Sequence, residues 1–404
     1  MHNFLKTSLI VMMALIAIPA IAKKAKCDTP ASGEIIVGAA CTSEYVPLLK
    51  GKKVALLSNH TGVVGDKHVL DIMLEKGVDV TTIFSPEHGF RGNADAGEHV
   101  KSSVDEKTGI PIASLYDGNS KKPAKKVMDG FDVLVVDIQD VGLRFYTYYV
   151  TMINLMNAAI EYDKEVVVFD RPNPNGMYVD GPILDMKYKS GIGWLPICTV
   201  HGMTLGELAL MINGEGWIDG DLKCELEVIP CRNYTRGMRY CLILPPSPNL
   251  KDMKSVYLYS STCYFEGTVA TPARGTDFAF EVFGHPDLDA SEYGFSFTPR
   301  SIPGAKHPRY QDQECHGRDL RLMPLEQIWE EKIALRHVID AYRGLQMGEP
   351  FFGSNNHFEL LAGQGYVREM ILDGADADSI AARWSADVEA FKEMRKPYLL
   401  YPED

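Results

Sequence analysis

The 404-residue sequence lacks the short motifs that hold a nucleotide, a catalytic metal or a serine nucleophile. It has no G-x-G-x-x-G after a strand and no G-x-x-x-x-G-K-[ST], so a nucleotide would find no phosphate cradle. It also has no H-E-x-x-H and no G-x-S-x-G, and its 11 histidines are scattered. We therefore expect neither a metal ion nor a cofactor.

Positive charge is also scarce. The chain has 41 lysines and arginines against 54 aspartates and glutamates, a formal net charge of −13. An acidic protein is not attracted to nucleic acid or to an anionic membrane surface, and we expect neither as a partner. The mean charge does not exclude an anionic substrate, because a local group of arginines can override it.

Long apolar runs are missing after the N-terminus. Residues 1–22 have a lysine at position 6, an apolar stretch over 9–18 and an A-x-A site ending at Ala22, which is the pattern of a cleaved signal peptide. We exclude this segment from the fold and expect an exported protein, periplasmic or secreted. We expect no integral membrane segment after cleavage.

Closely spaced cysteine pairs are absent too. The eight cysteines contain no C-x-x-C, which argues against a metal-binding or redox motif. An exported chain can form disulfides, so the cysteines between 224 and 263 are candidates for them. Buried free thiols are an equally good interpretation.

What the sequence does contain is an alternation of strands and helices. Short apolar, β-branched segments predict buried strands at 53–58, 78–84, 131–138, 165–170 and 224–229. Amphipathic segments between them predict helices, which gives a parallel sheet with right-handed crossovers. We predict an α/β protein with a Rossmann-like parallel sheet domain at 23–235 and a smaller α+β C-terminal domain at 245–404.

Several local predictions follow the same rules. Asp66 is expected to cap a helix over 67–76, and 205–212 is expected to form a helix that begins with a capping box at Thr204. In the second half, 255–263 is expected to be a strand. A helix over 376–395 is expected to bury one side in the core.

Three predicted strands end in acidic and basic residues. Ligands of open α/β sheets bind beyond the carboxyl ends of the strands. We therefore expect a shared site at this edge, formed by Glu87 and Arg91, by Asp140 and Arg144, and by Asp170 and Arg171.

These residue types suit the hydrolysis of a glycosidic bond. One carboxyl must protonate the leaving oxygen, and a second group must attack or activate water. Glu87 suits the acid role if nearby apolar residues raise its pKa, and His88 would orient the carboxyl or the sugar. The second group is open among Asp140, Asp170 and Glu266, and so is the choice between a retaining and an inverting mechanism.

Further side chains suit the binding of an acidic sugar. Tyr146 would offer a stacking face for a pyranose ring. Arg144, Arg171 or Arg274 would pair with a carboxylate of the substrate. A non-catalytic periplasmic binding protein for acidic sugars would show the same features, and it is our alternative interpretation.

Longer motifs resemble one known family, once described only as DUF1343 and associated with exo-β-N-acetylmuramidases of the NamZ type. In chain order they are SPEHGFRG at 85–92, DIQDVGLRFYT at 137–147, DRPNP at 170–174, HGMTLGELA at 201–209 and PSPN at 246–249. The resemblance runs from about residue 53 to the C-terminus. His60, Val269 and Ala273 depart from the usual pattern, where glutamine, asparagine and glycine are more common.

The resemblance implies a Rossmann-like domain, a smaller C-terminal domain and an active cleft between them. It implies release of N-acetylmuramic acid (MurNAc) from the non-reducing end of peptidoglycan fragments such as MurNAc–GlcNAc, without a cofactor. Glu87 of the P-E-H-G motif is the implied catalytic residue, and the lactyl carboxylate of MurNAc would account for the arginines. Within the matching stretch we also expect substrate contacts from Asn59, Asn173, His201 and Asn249.

Overall fold

A computed structural model describes residues 33–86, 90, 103–115, 122–219 and 222–404 of the chain. Its centre is a sheet of seven strands. The strands of the N-terminal half are β1 (Lys53–Ser58), β2 (Val63–Val64), β3 (Lys67–His68), β4 (Asp79–Ser85), β5 (Ser103–Val104), β6 (Pro111–Ser114), β7 (Val133–Asp137), β8 (Glu165–Phe169) and β9 (Leu226–Ile229). Strands β2 and β3 pair only with each other, as a small hairpin.

The sheet has the strand order β5-β6-β4-β1-β7-β8-β9. Six of these strands are parallel, and β5 is antiparallel at one edge. Counted along the chain, the six parallel strands lie in the order 3-2-1-4-5-6, which is the Rossmann order. The predicted α/β fold is confirmed. The order reverses between β1 and β7, so the crevice in which such sheets bind ligands opens beyond Ser58 and Asp137.

Both faces of the sheet are covered, because alternate side chains of each strand point in opposite directions. Val54 and Leu56 of β1 belong to the apolar core on one face, and Ala55 and Leu57 belong to the core on the other. The continuous apolar runs in the sequence follow from this burial on both sides.

The helices of the N-terminal half are α1 (Thr42–Leu49), α2 (Val69–Glu75), α3 (Lys125–Met128), α4 (Tyr148–Glu161) and α5 (Leu205–Gly214). The predicted capping box of α5 is confirmed. The Glu207 amide donates to the Thr204 hydroxyl, and the Glu207 carboxylate accepts from the Thr204 amide. These two bonds satisfy amides that the first helical turn leaves without partners.

The C-terminal half consists of helices around a three-stranded antiparallel sheet. Its elements are α6 (Met253–Thr262), β10 (Val282–His285), β11 (Phe295–Phe297), β12 (Cys315–Asp319), α7 (Leu325–Glu331), α8 (Arg336–Leu345), α9 (His357–Ala362), α10 (Tyr366–Leu372) and α11 (Ala377–Arg395). One apolar core runs from Leu57 and Val136 of the large sheet to Phe283 and Phe391 of this half. The division at 235–245 stays a prediction.

Two local predictions need correction. Residues 255–262 lie in helix α6 rather than in a strand, and Cys263 begins its 3-10 extension, Cys263–Gly267. Asp252 begins α6 with a capping box to Ser255, which outweighs the strand preference of the following aromatic residues. Helix α2 begins at Val69, because residues 67–68 pair in the hairpin and His68 caps the helix.

The predicted apolar side of the 376–395 helix is confirmed. Ile380, Trp384, Val388 and Phe391 of α11 are all buried. No helix in the described ranges is both long and apolar enough to span a bilayer. Six cysteines are buried free thiols and Cys241 is disulfide-bonded, so both expectations for the cysteines are met in part.

Candidate active site

Hydrogen bonds tie the two strand ends together at the point where the sheet order reverses. Asn59, which follows β1, accepts from the Thr61 hydroxyl at 2.6 Å, and the Thr61 hydroxyl accepts from the Gln139 amide at 3.2 Å. The Asn59 amide group donates to the Tyr148 hydroxyl at 3.0 Å. Asn59 is wholly buried, so the structure places it beneath the wall of the crevice, where it supports Tyr148.

A proline-rich segment closes one side of the crevice. The hydroxyls of Tyr146 and Tyr148 donate to the Pro246 carbonyl at 2.8 and 3.2 Å. Asn249 then donates from its side chain to the Gly304 carbonyl at 2.8 Å, which connects this segment to the C-terminal half. Proline fixes the backbone here, so the segment forms a stiff wall.

Tyr146, Tyr148 and the proline-rich segment also line a cavity of about 260 Å³, which is walled by both halves of the chain. Its lining is aromatic with a few polar groups, which is typical of small-molecule sites. Tyr146, Asn249, Glu266 and Arg274 of the predicted site are among its residues. The others are Phe145, Thr147, Tyr148, Ile192, Ser247, Leu250, Tyr259, Cys263, Phe280, His357 and Leu361.

Glu266 and Arg274 form an ion pair on this wall. The Arg274 Nε donates to Glu266 Oε1 at 2.6 Å, and each side chain is 24% exposed. The guanidinium also lies over the Phe280 ring, 5.1 Å from its centre. Burial works to lower the pKa of Arg274, but the charge and hydrogen bond of Glu266 raise it above its ordinary value. The cavity thus has a fixed, permanently charged arginine.

Asp140 is a buried acid close behind the cavity. Its Oδ1 accepts from the Gly142 amide at 2.6 Å, and its buried Oδ2 has no partner among the described residues. Burial raises the pKa of Asp140 to about 7, against the lowering effect of backbone amides. Burial also raises the pKa of Tyr146, with a smaller contribution from the Asp140 charge, so the two lie close together.

The geometry around Asp140 depends on a glycine. Gly142 has φ +76°, a conformation that side chains rarely adopt, and a Cβ there would collide with the Asn173 amide. Asn173 itself accepts from the Asn175 amide at 2.8 Å and donates to the Met203 carbonyl at 2.9 Å. The structure therefore places Asn173 in the packing beneath the loop rather than on the cavity wall.

Arg144 is enclosed by backbone carbonyls. Its terminal nitrogens donate to Pro182 and Ile197 at 2.7 and 2.8 Å, and to Leu361 and Ala362 at 3.2 and 2.8 Å. The side chain is fully buried, and these bonds join the sheet domain to α9. This arginine connects the two halves and does not line the cavity.

Two neighbouring candidates, Arg171 and Asp170, also form hydrogen bonds to other residues of the sheet domain. Arg171 forms a bidentate pair with Asp137 at 2.6 and 2.9 Å, with both side chains buried. Asp170 accepts from the Gly206 amide at 2.8 Å and from the Thr204 hydroxyl at 2.6 Å, so it lies at the start of α5. Burial raises the pKa of Asp170 to about 6.

His201 is buried between α5 and α11. Its Nδ1 accepts from the Met203 amide at 3.2 Å, and the ring is 1% exposed. Burial, then the charges of Arg395 and Arg144, lower the pKa of His201 to about 3. A pKa this low favours the neutral ring at neutral pH, and His201 is not among the residues that line the cavity.

Glu87, His88 and Arg91 lie outside the described residues. Strand β4 ends at Ser85, beside β1, so the chain is at the carboxyl edge of the sheet just before this motif. Their predicted roles stay predictions. No group of three or more His, Cys, Asp or Glu side chains that could hold a metal ion occurs within the described ranges.

Sequence reasoning missed several residues of the cavity. Tyr259 lines it from helix α6, which the sequence wrongly predicts as a strand, Phe280 lines it from a segment with no predicted element, and His357 begins α9. The signal for Tyr259 was available, since helical spacing from the Asp252 cap places it one turn before Cys263. His357 follows a run of glycine, serine and asparagine, which indicates only a turn.

Two family models match the chain, one over its N-terminal part and one over its C-terminal part. Residues 54–254 match "Exo-beta-N-acetylmuramidase NamZ, N-terminal", and residues 257–401 match "Exo-beta-N-acetylmuramidase NamZ, C-terminal". The chain is 37% identical over 375 residues to peptidoglycan beta-N-acetylmuramidase NamZ of Bacillus subtilis (strain 168), covering 89% of each sequence.

Two solved structures of DUF1343 family proteins from Bacteroides fragilis NCTC 9343 share the fold. One superposes with a TM-score of 0.86 at 55% identity, covering 92% of this chain and 100% of the other. The second has a TM-score of 0.77 at 26% identity, covering 91% and 99%. The predicted resemblance is confirmed, and these matches do not favour the binding-protein alternative. The chain belongs to the NamZ family of exo-β-N-acetylmuramidases.

Proposed function

We propose that this protein is an exo-acting β-N-acetylmuramidase that releases MurNAc from the non-reducing end of peptidoglycan fragments. The observation that supports this most strongly is the match of both family halves, in order, over 54–254 and 257–401. The cavity between the halves has the composition that such a substrate needs. Tyr146 and Tyr259 offer ring surface for a pyranose, and Arg274 offers a positive charge for its carboxylate.

Glu87 is the proposed general acid. Glu87 comes two positions after Ser85 in the sequence, and Ser85 ends β4 at the carboxyl edge of the sheet, where ligands of such folds bind. A carboxyl in this position would protonate the leaving oxygen of the glycosidic bond. Glu87 belongs to SPEHGFRG, one of the five motifs that carry the family resemblance.

Asp140 is the proposed second carboxyl. Its Oδ2 is buried without a partner in the described structure, and its pKa of about 7 suits proton transfer near neutral pH. Glu266 suits this role less well. Its Oε1 is bound to Arg274, and the Cys263 thiol lies 3.7 Å from its Oε2.

The test is release of MurNAc from a MurNAc–GlcNAc disaccharide. The wild-type protein is expected to release it, and Glu87→Gln is expected to lose at least about 100-fold in kcat, because an amide cannot donate the proton. Glu75→Gln is the matched control, since Glu75 is an exposed partner of Lys67. It should keep wild-type turnover.

Two results would contradict the proposal. Full turnover by Glu87→Gln would show that another group is the acid. Binding of the disaccharide by the wild-type protein without any cleavage would instead identify a sugar-binding protein.

We also propose that the protein acts outside the cytoplasm. The support is the signal-like pattern of residues 1–22 and a substrate that belongs to the cell wall. N-terminal sequencing of the protein from its native source should find Lys23 as the first residue. An intact Met1 or Met-processed terminus would contradict export through this segment.

A further inference from the structure

Arg274 differs from the other arginines of the predicted site in the hydrogen bonds that its guanidinium nitrogens make. Arg144 and Arg171 use their terminal nitrogens on carbonyls or on Asp137. The two Nη groups of Arg274 donate no hydrogen bond to any residue that the structure describes, and only its Nε is used, by Glu266. Arg274 is also the only arginine or lysine among the described residues on the cavity wall.

The position of the guanidinium is fixed in advance. Glu266 holds its Nε edge at 2.6 Å, and the Phe280 ring supports its face. A flexible arginine loses side-chain conformational entropy when it binds a ligand. Because Glu266 and Phe280 already hold Arg274 in place, much of this entropy is lost before the ligand binds, and binding costs less. Glu266 thereby orients the Nη fork, which matches the geometry of a carboxylate.

We propose that Arg274 reads the lactyl carboxylate of MurNAc and makes the cavity specific for a sugar that has this group. Glu266 is its positioning residue. The inference rests on the proposed function for the identity of the sugar. A hexosamine without the lactyl group would leave the Nη fork in the cavity without a charged partner, which is costly in a partly dry site.

The experiment measures binding rather than turnover, so that it is independent of catalysis. Calorimetric titration compares MurNAc with its lactyl primary amide, which has the same shape but no charge. The wild-type protein is expected to bind MurNAc about 10- to 100-fold more tightly than the amide. Arg274→Gln should lose that preference by weakening MurNAc binding while leaving the affinity for the amide nearly unchanged.

Two further variants complete the design. Arg274→Lys keeps the charge but loses the fork, and it should retain only part of the preference. Arg321→Gln is the matched control, because Arg321 is also held by a carboxylate, that of Asp319, and lies over the Phe278 ring but does not line the cavity. It should keep the full preference for MurNAc.

An equal loss of affinity for the acid and the amide in both Arg274 variants would overturn the proposal, because Arg274 would then only shape the cavity. An equal affinity of the wild-type protein for the two sugars would overturn it as well. A protein that prefers MurNAc through Arg274 but cleaves no disaccharide would support this inference while contradicting the proposed hydrolase activity.

Discussion

At the scale of single residues, Asp140 shows how burial raises the pKa of a carboxyl. A buried carboxylate with one oxygen that accepts no hydrogen bond, like Oδ2 of Asp140 among the described residues, loses its hydration without full compensation. The folded protein therefore favours the protonated form, and the pKa rises from 3.8 to about 7. Such a group destabilises the fold when it is ionised, which is a common property of catalytic acids.

Asp140→Asn is therefore expected to separate activity from stability. The amide oxygen can still accept from the Gly142 amide, but the side chain can no longer transfer a proton, so kcat should fall at least about 100-fold. Because the folded pKa is raised, the wild-type carboxyl contributes stability below pH 4 that is lost as pH rises through 7. The variant should unfold at a higher temperature than wild type at pH 8, and at about the same temperature at pH 4.

Glu281→Gln is the matched control for this pair of effects. Burial raises the pKa of Glu281 to about 7 as well, and its side chain does not line the cavity. The control should also gain stability at pH 8, with turnover unchanged. Wild-type turnover in Asp140→Asn would remove Asp140 from the mechanism, whereas lower stability at pH 8 would contradict its raised pKa.

The sequence identifies the arginines as candidates for the site, but it does not show which of them lines the cavity. Arg144, Arg171 and Arg274 each follow a turn or strand end and have the same chemistry. What separates them is the surroundings: four carbonyls around Arg144, Asp137 beside Arg171, and an open cavity beside Arg274. These partners come from segments up to 218 residues away along the chain, so no local pattern predicts them.

At the scale of elements, the strands were predictable because a strand that is buried on both faces is apolar at nearly every position. Strand β7 consists of five buried residues in a row, and no helix pattern fits so short an apolar run. Helix α6 was not predictable in the same way. Its sequence has one valine, two tyrosines and a threonine, which favour strands, but the cap at Asp252 and the burial of nine of its ten residues decide its structure.

The error at α6 matters for the site, because this helix delivers the cavity residues of the C-terminal half. Tyr259 lies on α6, and Cys263 and Glu266 lie on the 3-10 turn that continues it. In a strand, alternate residues would face opposite sides, and Tyr259 and Cys263 would share a face without Glu266. The helical turn instead places the Glu266 carboxylate at the cavity.

At the scale of the whole molecule, the last residues of the chain bind the N-terminal half and the segment that follows it. The Arg236 and Gly237 amides donate to the carbonyls of Pro402 and Glu403 at 2.9 and 2.8 Å. The Leu400 amide donates to the Glu207 carboxylate at 2.8 Å. Because of these bonds and the shared apolar core, we expect the two halves to unfold as one cooperative unit.

Tyr401→Phe is expected to weaken this unit as a whole. The Tyr401 hydroxyl donates to Asp170 at 2.5 Å and accepts from the Cys231 amide at 2.8 Å, all within a buried site. Its removal leaves the amide without a partner and the carboxylate with fewer donors, which costs about 1–3 kcal/mol of unfolding free energy. Thermal unfolding followed by calorimetry should show a lower Tm in a single transition.

The same substitution at Tyr398 is the control for that measurement. The Tyr398 hydroxyl donates to Glu215 at 2.7 Å, but this contact is exposed to solvent, so Tyr398→Phe should change the free energy by less than about 1 kcal/mol. Both variants remove one hydroxyl from the same tail. The Tyr401 hydroxyl is buried and makes two hydrogen bonds, whereas the Tyr398 hydroxyl makes one bond that is exposed to solvent. If Tyr401→Phe instead splits the unfolding transition in two, the halves are separate folding units that the tail bonds only hold together. Equal effects of the two variants on the free energy of unfolding would mean that the buried contact with Asp170 adds nothing to stability.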